Sequence, residues 1–130
     1  MIKEDYVSFE IAKLLKEKGF NEICRAAYTD DGKFITHHNY YSQCKDEYVA
    51  PTHQMAMKWL REKGFHINAS ISYDYSEDAD GNIIDKRTFW LFEIFSSFGG
   101  DIIYTEEVNE YDSYEEAVEA ALKYILENLI

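Results

Sequence analysis

The chain has 130 residues, with 13 Lys and Arg against 25 Asp and Glu and a formal net charge of −12. This length is typical of one domain, so we expect a single α+β domain over residues 1–130. The acidic balance argues against binding to nucleic acid or to an anionic membrane, because both require clustered cations. No apolar run reaches the length of a membrane span and two cysteines make no disulfide framework, which indicates a soluble cytoplasmic protein.

The negative charge is concentrated in the second half of the chain. Residues 1–66 contain ten Lys and Arg and ten Asp and Glu, whereas residues 67–130 contain three against fifteen. Such a charge keeps a protein dispersed in water, and it can also form an acidic face that docks on a basic partner. The residues that would form this face are Glu106, Glu107, Glu110, Asp112, Glu115, Glu116 and Glu119.

Two helices and a β-hairpin are predicted in the first half. The segment from Ser8 to Lys18 has a capping serine, an apolar stripe at helical spacing and a glycine directly after it, which together are typical of a helix. Two β-prone runs, residues 23–29 and 34–38, flank an Asp-Asp-Gly turn signal and predict a hairpin. The segment from Thr52 to Lys63 repeats the helical pattern.

Three strands are predicted next. Polar and apolar residues alternate over residues 66–75, which predicts a half-buried strand, and an acidic turn at residues 76–82 follows it. Residues 86–97 include the run Phe89–Phe92, which is apolar on both faces and favours a central strand. A further strand is expected at residues 101–108.

The third helix has the clearest signal, because Ser113 and Glu116 form a capping box in front of an amphipathic segment. The predicted element order is therefore αββαβββα. Helices that cover one face of a mainly antiparallel sheet give a two-layer sandwich. We expect three helices on a single sheet of about five strands.

One group of residues has the chemistry of a metal or nucleophile site. His37, His38, Cys44 and His53 lie close together in the sequence, so a metal-dependent or thiol enzyme centred on them is the main alternative to a binding protein. Their spacing matches no zinc signature. The acidic turn at residues 76–82 places carboxylates at too few of the positions that a calcium loop requires. We therefore predict no catalytic residue, no metal and no cofactor.

A long segment between the predicted hairpin and second helix is rich in tyrosine. It extends from Asn39 to Pro51, and we expect it to be a loop. Its tyrosines either cover the open end of the core or form an aromatic contact surface. The candidate binding residues here are Tyr40, Tyr41 and Tyr48, together with His38 and His53. An apolar pocket beneath this loop would instead indicate a small-ligand binder.

Three segments of the chain carry a resemblance to other proteins. They are VSFEIAKLLKEKGFNE, YVAPTHQMAMKWLREKGF and SYEEAVEAALKYIL, and the likeness extends over most of the chain. In these segments the chain resembles a family of small uncharacterised proteins from phages and mobile elements of gut bacteria. The resemblance implies a bacterial cytoplasmic setting and an accessory role, and it assigns no catalytic residue.

The sequence favours a non-enzymatic accessory protein that binds a partner protein. The acidic second half suits a partner with a basic surface, and the aromatic loop is the other candidate contact surface. One form of this hypothesis is a decoy that occupies the nucleic-acid site of another protein. The sequence leaves the oligomeric state and the identity of the partner open.

Overall fold

Each of the three helices begins directly after a capping hydroxyl, as the sequence predicts. The computed structural model describes residues 2–105 and 109–130. Within them the helices are α1 (Phe9–Glu17), α2 (His53–Glu62) and α3 (Tyr114–Asn128). The hydroxyls of Ser8, Thr52 and Ser113 accept hydrogen bonds from the backbone three residues later, which satisfies amides that the helix itself leaves unpaired. None of these described helices is both long and apolar enough to cross a membrane.

The first half of the chain forms a three-stranded antiparallel sheet. Its strands are β1 (Cys24–Thr29), β2 (Phe34–Tyr40) and β3 (Glu47–Val49), in the order β2-β1-β3. The predicted hairpin is confirmed. Strand β3 lies within the segment that the sequence predicts to be a loop. The sequence does not reveal this strand, because three residues are too few to show an alternating pattern.

The second half forms another three-stranded antiparallel sheet. Its strands are β4 (Phe65–Glu77), β5 (Ile83–Ser96) and β6 (Ile102–Thr105), and β5 is central as predicted. The acidic turn between β4 and β5 is held by Asp78, whose Oδ1 accepts from the backbone N–H groups of Asp80 and Asn82, each at 2.9 Å. Because these bonds stabilise a tight turn, the acidic segment is explained as the connection of a hairpin. The remainder of the predicted 101–108 strand, residues 106–108, lies outside the described residues.

The outer part of the β4–β5 hairpin extends beyond the core. Near its base, the cross-strand pair Ile67 and Ile94 is buried. Further out, Tyr73 pairs with Thr88 and both are exposed. We call residues 71–88 the arm, because almost all of them are exposed.

The prediction of a single sheet of about five strands is wrong, since the six described strands form two separate sheets. The helices also contact both sheets: α1 contacts β1 and β3, whereas α3 contacts β4 and β5. One continuous core cluster contains buried residues from both sheets and from these two helices. Examples are Ala27 of β1, Phe92 of β5, Leu15 of α1 and Leu122 of α3. A sequence pattern defines which face of a strand is buried, and it does not determine which sheet that strand joins.

Candidate functional site

A groove rich in carboxylates lies where the N-terminal segment meets the beginnings of α2 and α3. Its volume is about 650 Å³. Its acidic lining residues are Asp5, Glu110, Asp112, Glu115, Glu116 and Glu119. Its other lining residues are Tyr6, Ser8, His53 and Tyr111, so no Lys or Arg side chain lines the groove within the described chain. We call this the acidic groove.

Backbone pairing positions one wall of the acidic groove. Tyr6 forms an isolated antiparallel bridge with Thr52, the N-cap of α2. The N–H of Val7 donates to the carbonyl of Pro51 at 3.0 Å, and the N–H of His53 donates to the carbonyl of Asp5 at 2.9 Å. The chain before α1 is thereby fixed beside the start of α2.

A second bridge positions the opposite wall. Tyr111 and Trp90 exchange backbone hydrogen bonds of 2.7 and 2.9 Å, which fixes the segment before α3 along strand β5. The predicted capping box forms in part: the N–H of Glu116 donates to Ser113 Oγ at 3.1 Å, whereas Glu116 Oε2 accepts at 2.9 Å from the N–H of Asp112, one residue before the cap. Because of these bonds, the acidic first turn of α3 borders the groove.

The floor of the acidic groove contains a three-residue junction centred on one carboxylate. Glu119 Oε1 accepts from the N–H of Ser8 at 2.8 Å, and Glu119 Oε2 accepts from Ser8 Oγ at 2.9 Å. The Nε2 atom of His53 lies 2.9 Å from Glu119 Oε1. The His53 side chain is 6% exposed and that of Glu119 is 26% exposed. This Glu119 junction connects the starts of α1 and α2 to the middle of α3.

The Glu119 junction contains serine, histidine and glutamate, but it is not arranged as a catalytic triad. In a triad the hydroxyl bonds to the imidazole, which is oriented by the carboxylate. Here Ser8 bonds to the carboxylate, which lies between Ser8 and His53. Ser8 Oγ also accepts from the N–H of Ile11 at 3.3 Å, as a helix cap. The geometry therefore supports a structural connection between helices and does not place the His53 imidazole as a base for Ser8.

One atom of the junction lacks a partner. His53 Nδ1 is buried and has no hydrogen-bond partner within residues 2–105 and 109–130. When a neutral His53 donates from Nε2 to Glu119, Nδ1 is left as an acceptor. Buried polar atoms are ordinarily paired, so this nitrogen is an exception beneath the groove.

The charge of Glu119 also affects a neighbouring phenol. The O–H of Tyr28 donates to the carbonyl of Val7 at 2.7 Å. Burial, and secondarily the Glu119 charge, raise the pKa of Tyr28 above its ordinary value. Tyr28 consequently keeps its donor proton to a higher pH than an ordinary tyrosine does.

The rim of the acidic groove contains both paired and unpaired carboxylates. Glu110 accepts two hydrogen bonds from the Arg87 guanidinium, at 2.6 and 3.1 Å. These bonds lower the pKa of Glu110. Asp5, Asp112 and Glu115 have no side-chain hydrogen bond or ion pair within the described part of the chain. The rim therefore presents three carboxylates that are available to a cationic ligand.

Residues of the predicted acidic face and of the predicted histidine and cysteine set meet in the acidic groove. Five residues of the predicted acidic face line the groove, and so does His53 from the histidine set. The five are Glu110, Asp112, Glu115, Glu116 and Glu119. The other two, Glu106 and Glu107, lie outside the described residues.

The remaining metal or thiol candidates lie apart from the acidic groove. His37 is in an irregular part of β2 at φ 78°, and the ring of His38 contacts that of Tyr40 edge-on. Cys44 is exposed in the turn before β3. Among the described residues, no group of three or more His, Cys, Asp or Glu side chains is arranged to hold a metal ion.

The three candidate tyrosines of the aromatic segment differ in exposure. Tyr40 is 8% exposed and belongs to the core, whereas Tyr41 is 41% exposed. Tyr48 is half-buried against Phe9, with the Lys16 ammonium 4.9 Å above its ring. Only part of the predicted aromatic surface is therefore open to a partner in this structure.

Four residues of the acidic groove have no functional signal in the sequence. Asp5, Tyr6 and Tyr111 are brought to the groove by backbone bridges, and Ser8 is recognisable in the sequence as a helix cap alone. Ser8 and Glu119 are 111 positions apart, so their contact depends on how α1 packs against α3. No sequence spacing encodes such a contact.

Comparisons of the chain with protein-family models, curated proteins and solved structures found no match.

Proposed function

We propose that the protein is a non-enzymatic interaction protein whose acidic groove binds a Lys- or Arg-bearing segment of a partner protein. The observation that carries this proposal is the rim of carboxylates Asp5, Asp112 and Glu115, which are unpaired among the described residues, around a groove that no described Lys or Arg lines. An exposed acidic rim attracts a basic segment and accelerates its association. A bound ammonium or guanidinium would neutralise charges that the fold itself leaves unpaired.

The tyrosines of the acidic groove supply the apolar part of the proposed contact. Tyr6 and Tyr111 are half-buried and line the same groove as the carboxylates. Lys and Arg have long aliphatic stems that pack on aromatic rings, and their cationic ends are attracted to ring faces. A segment with alternating basic and apolar residues therefore fits this surface better than an isolated cation.

The proposal includes a bacterial cytoplasmic setting and an accessory role, in keeping with the family resemblance. The free thiols of Cys24 and Cys44 are compatible with a reducing compartment. A decoy that occupies the nucleic-acid site of another protein is one form of the same proposal. An enzyme centred on His37, His38, Cys44 and His53, or a small-ligand binder, stays an alternative prediction.

The test is a fluorescence-anisotropy titration with labelled peptides of alternating Lys or Arg and apolar residues. A matched peptide in which Gln replaces the basic residues controls for apolar binding. The Asp112→Asn/Glu115→Gln variant removes two rim charges. The Asp101→Asn/Glu127→Gln variant removes two exposed charges that do not line the groove.

We expect the basic peptides to bind the wild-type chain, with an affinity that falls as salt concentration rises. The rim variant should weaken binding by about tenfold, and the control variant should change it much less. An equal loss of affinity in both variants would show that the overall negative charge, and not the groove, attracts the peptides. An absence of binding to every basic peptide would contradict the proposed function.

A further inference from the structure

Strand β4 lies at one edge of the second sheet. Within the described residues β4 pairs with β5 alone, so the backbone groups on its other side have no strand partner. Proteins ordinarily protect such an edge with Lys, Pro or a β-bulge, because an open edge pairs readily with another chain. Strand β4 contains neither Lys nor Pro, and its pairing with β5 is regular from Phe65 to Ser76. The edge is therefore suited to accept another strand.

The same strand carries large apolar side chains on the arm that are more than half exposed. Ile71, Tyr73 and Tyr75 lie on the face that carries the buried Ile67 nearer the base of the hairpin. Their exposed fractions are 58%, 56% and 52%. A strand added at this edge would place its own side chains beside them, and cross-strand pairs of aromatic and β-branched residues stabilise a sheet.

We propose that β4 of a second copy of this chain occupies the edge, in an antiparallel pairing about a two-fold axis at Tyr73. In this register the two Tyr73 side chains lie opposite each other, and Ile71 of each copy lies opposite Tyr75 of the other. The pairing joins two three-stranded sheets into one continuous sheet. Both copies use the same surface, as a two-fold dimer requires.

The charges of β4 are compatible with this register. Asp74 lies opposite Ser72 of the second copy, and Glu77 lies opposite Ala69. An axis one residue further along would place the two Asp74 carboxylates directly opposite each other, which destabilises a pair of strands. The axis at Tyr73 also centres the pairing on the exposed apolar side chains.

The same register directs the acidic tip of each arm toward the base of β4 on the other copy. Glu77, the last residue of β4, lies opposite Ala69 of the other copy, so the acidic turn that follows Glu77 extends toward the end of that strand where His66 lies. His66 and Arg61 line a recess of about 370 Å³. Arg61 has no ion-pair partner among the described residues. This charge complementarity favours a second copy over an unrelated strand, since one chain carries both the acidic tip and the basic recess.

The first test measures the mass of the assembly by sedimentation equilibrium, from low micromolar to near-millimolar concentration. The wild-type chain should form a dimer. Tyr73→Lys should weaken the dimer by about tenfold or more, because two lysines then face each other across the axis. Thr88→Lys is the matched control, since Thr88 lies opposite Tyr73 on β5 and away from the edge. A wild-type chain that stays monomeric throughout overturns the proposal and leaves the edge to a strand of a different protein.

The second test determines the register by disulfide crosslinking in a Cys44→Ser background. Tyr73→Cys should crosslink two chains under mild oxidation, because directly opposed residues lie within disulfide distance. Ser76→Cys, also exposed on β4, should not crosslink, since the two copies of this position would be about 20 Å apart. Equal crosslinking by both variants, or none by Tyr73→Cys, overturns the register.

Discussion

The floor and the rim of the acidic groove use the same kind of side chain for different purposes. Glu119 and Glu115 lie one turn apart on α3, and both line the groove. Glu119 accepts two hydrogen bonds from Ser8 and contacts His53, whereas Glu115 has no such partner among the described residues. The role of a carboxylate on α3 therefore depends on which hydrogen-bond donors its side of the helix meets. The floor stabilises the fold, and the rim is available to a partner.

The substitution with the largest expected effect on stability is at Glu119, on the floor of the acidic groove. Glu119→Gln keeps the size of the side chain but presents an amide group to donors on Ser8 and His53, leaving part-buried hydrogen bonds unmade. We expect the free energy of unfolding to fall by about 2 kcal/mol or more, measured by urea denaturation. Glu115→Gln is the matched control and should change it by less than about 0.5 kcal/mol. Similar losses in both variants would remove the distinction between floor and rim.

A smaller effect is expected from the other side of the junction. Ser8→Ala removes both the cap of α1 and one hydrogen bond to Glu119, so we expect a loss of about 1 to 2 kcal/mol. Combined with Glu119→Gln, it should cost less than the sum of the two single changes, because both remove the same bond. Strict additivity in urea denaturation would show that Ser8 and Glu119 act independently.

Substitutions at the rim should weaken peptide binding and hardly change the free energy of unfolding. Asp112→Asn/Glu115→Gln removes two unpaired charges from an already acidic surface, so the free energy of unfolding should change by less than about 0.5 kcal/mol. Thermal unfolding monitored by circular dichroism measures this. A large destabilisation would mean that these carboxylates hold the fold, and a loss of peptide binding by this variant would then be uninformative.

The smallest effect concerns the paired carboxylate of the rim. Hydrogen bonds and charge from Arg87 lower the pKa of Glu110. A lowered folded-state pKa means that this pairing stabilises the fold above the ordinary carboxyl pKa and is lost as pH falls through the folded-state value. Arg87→Gln should therefore raise the pKa of Glu110, as followed by NMR titration of its side-chain carboxyl. An unchanged pKa would show that the pair does not form in solution.

Local signals in the sequence predict the helices well, because each begins with its own cap. All three helices start directly after the predicted caps, which are Ser8, Thr52 and Ser113. Glu116 bonds to its cap as expected through its N–H, but its carboxylate accepts from Asp112, one residue before the cap. The buried face of α2 is less well predicted. Met55 and Met57 are both apolar, yet Met57 is buried whereas Met55 is 39% exposed. Neighbouring elements determine the rotation of a helix that has apolar residues on more than one side.

The division into two sheets and the Glu119 junction are beyond the reach of sequence periodicity. Alternation identifies β4 and β5 as strands, but it contains no information about whether β1 joins them. Glu119 looks in the sequence like one more acid on a solvated helix face. Its role appears when α3 packs against α1 and brings Ser8 within 2.9 Å.

We claim that a basic segment binds in the acidic groove, and chemical-shift mapping of backbone amides tests this binding residue by residue. A basic peptide is titrated into the isotopically labelled wild-type chain. We predict that the largest shift changes occur at Tyr6, Tyr111 and Glu115, and that they saturate together. Changes confined to the arm, or spread evenly over the acidic surface without saturation, would contradict the claim.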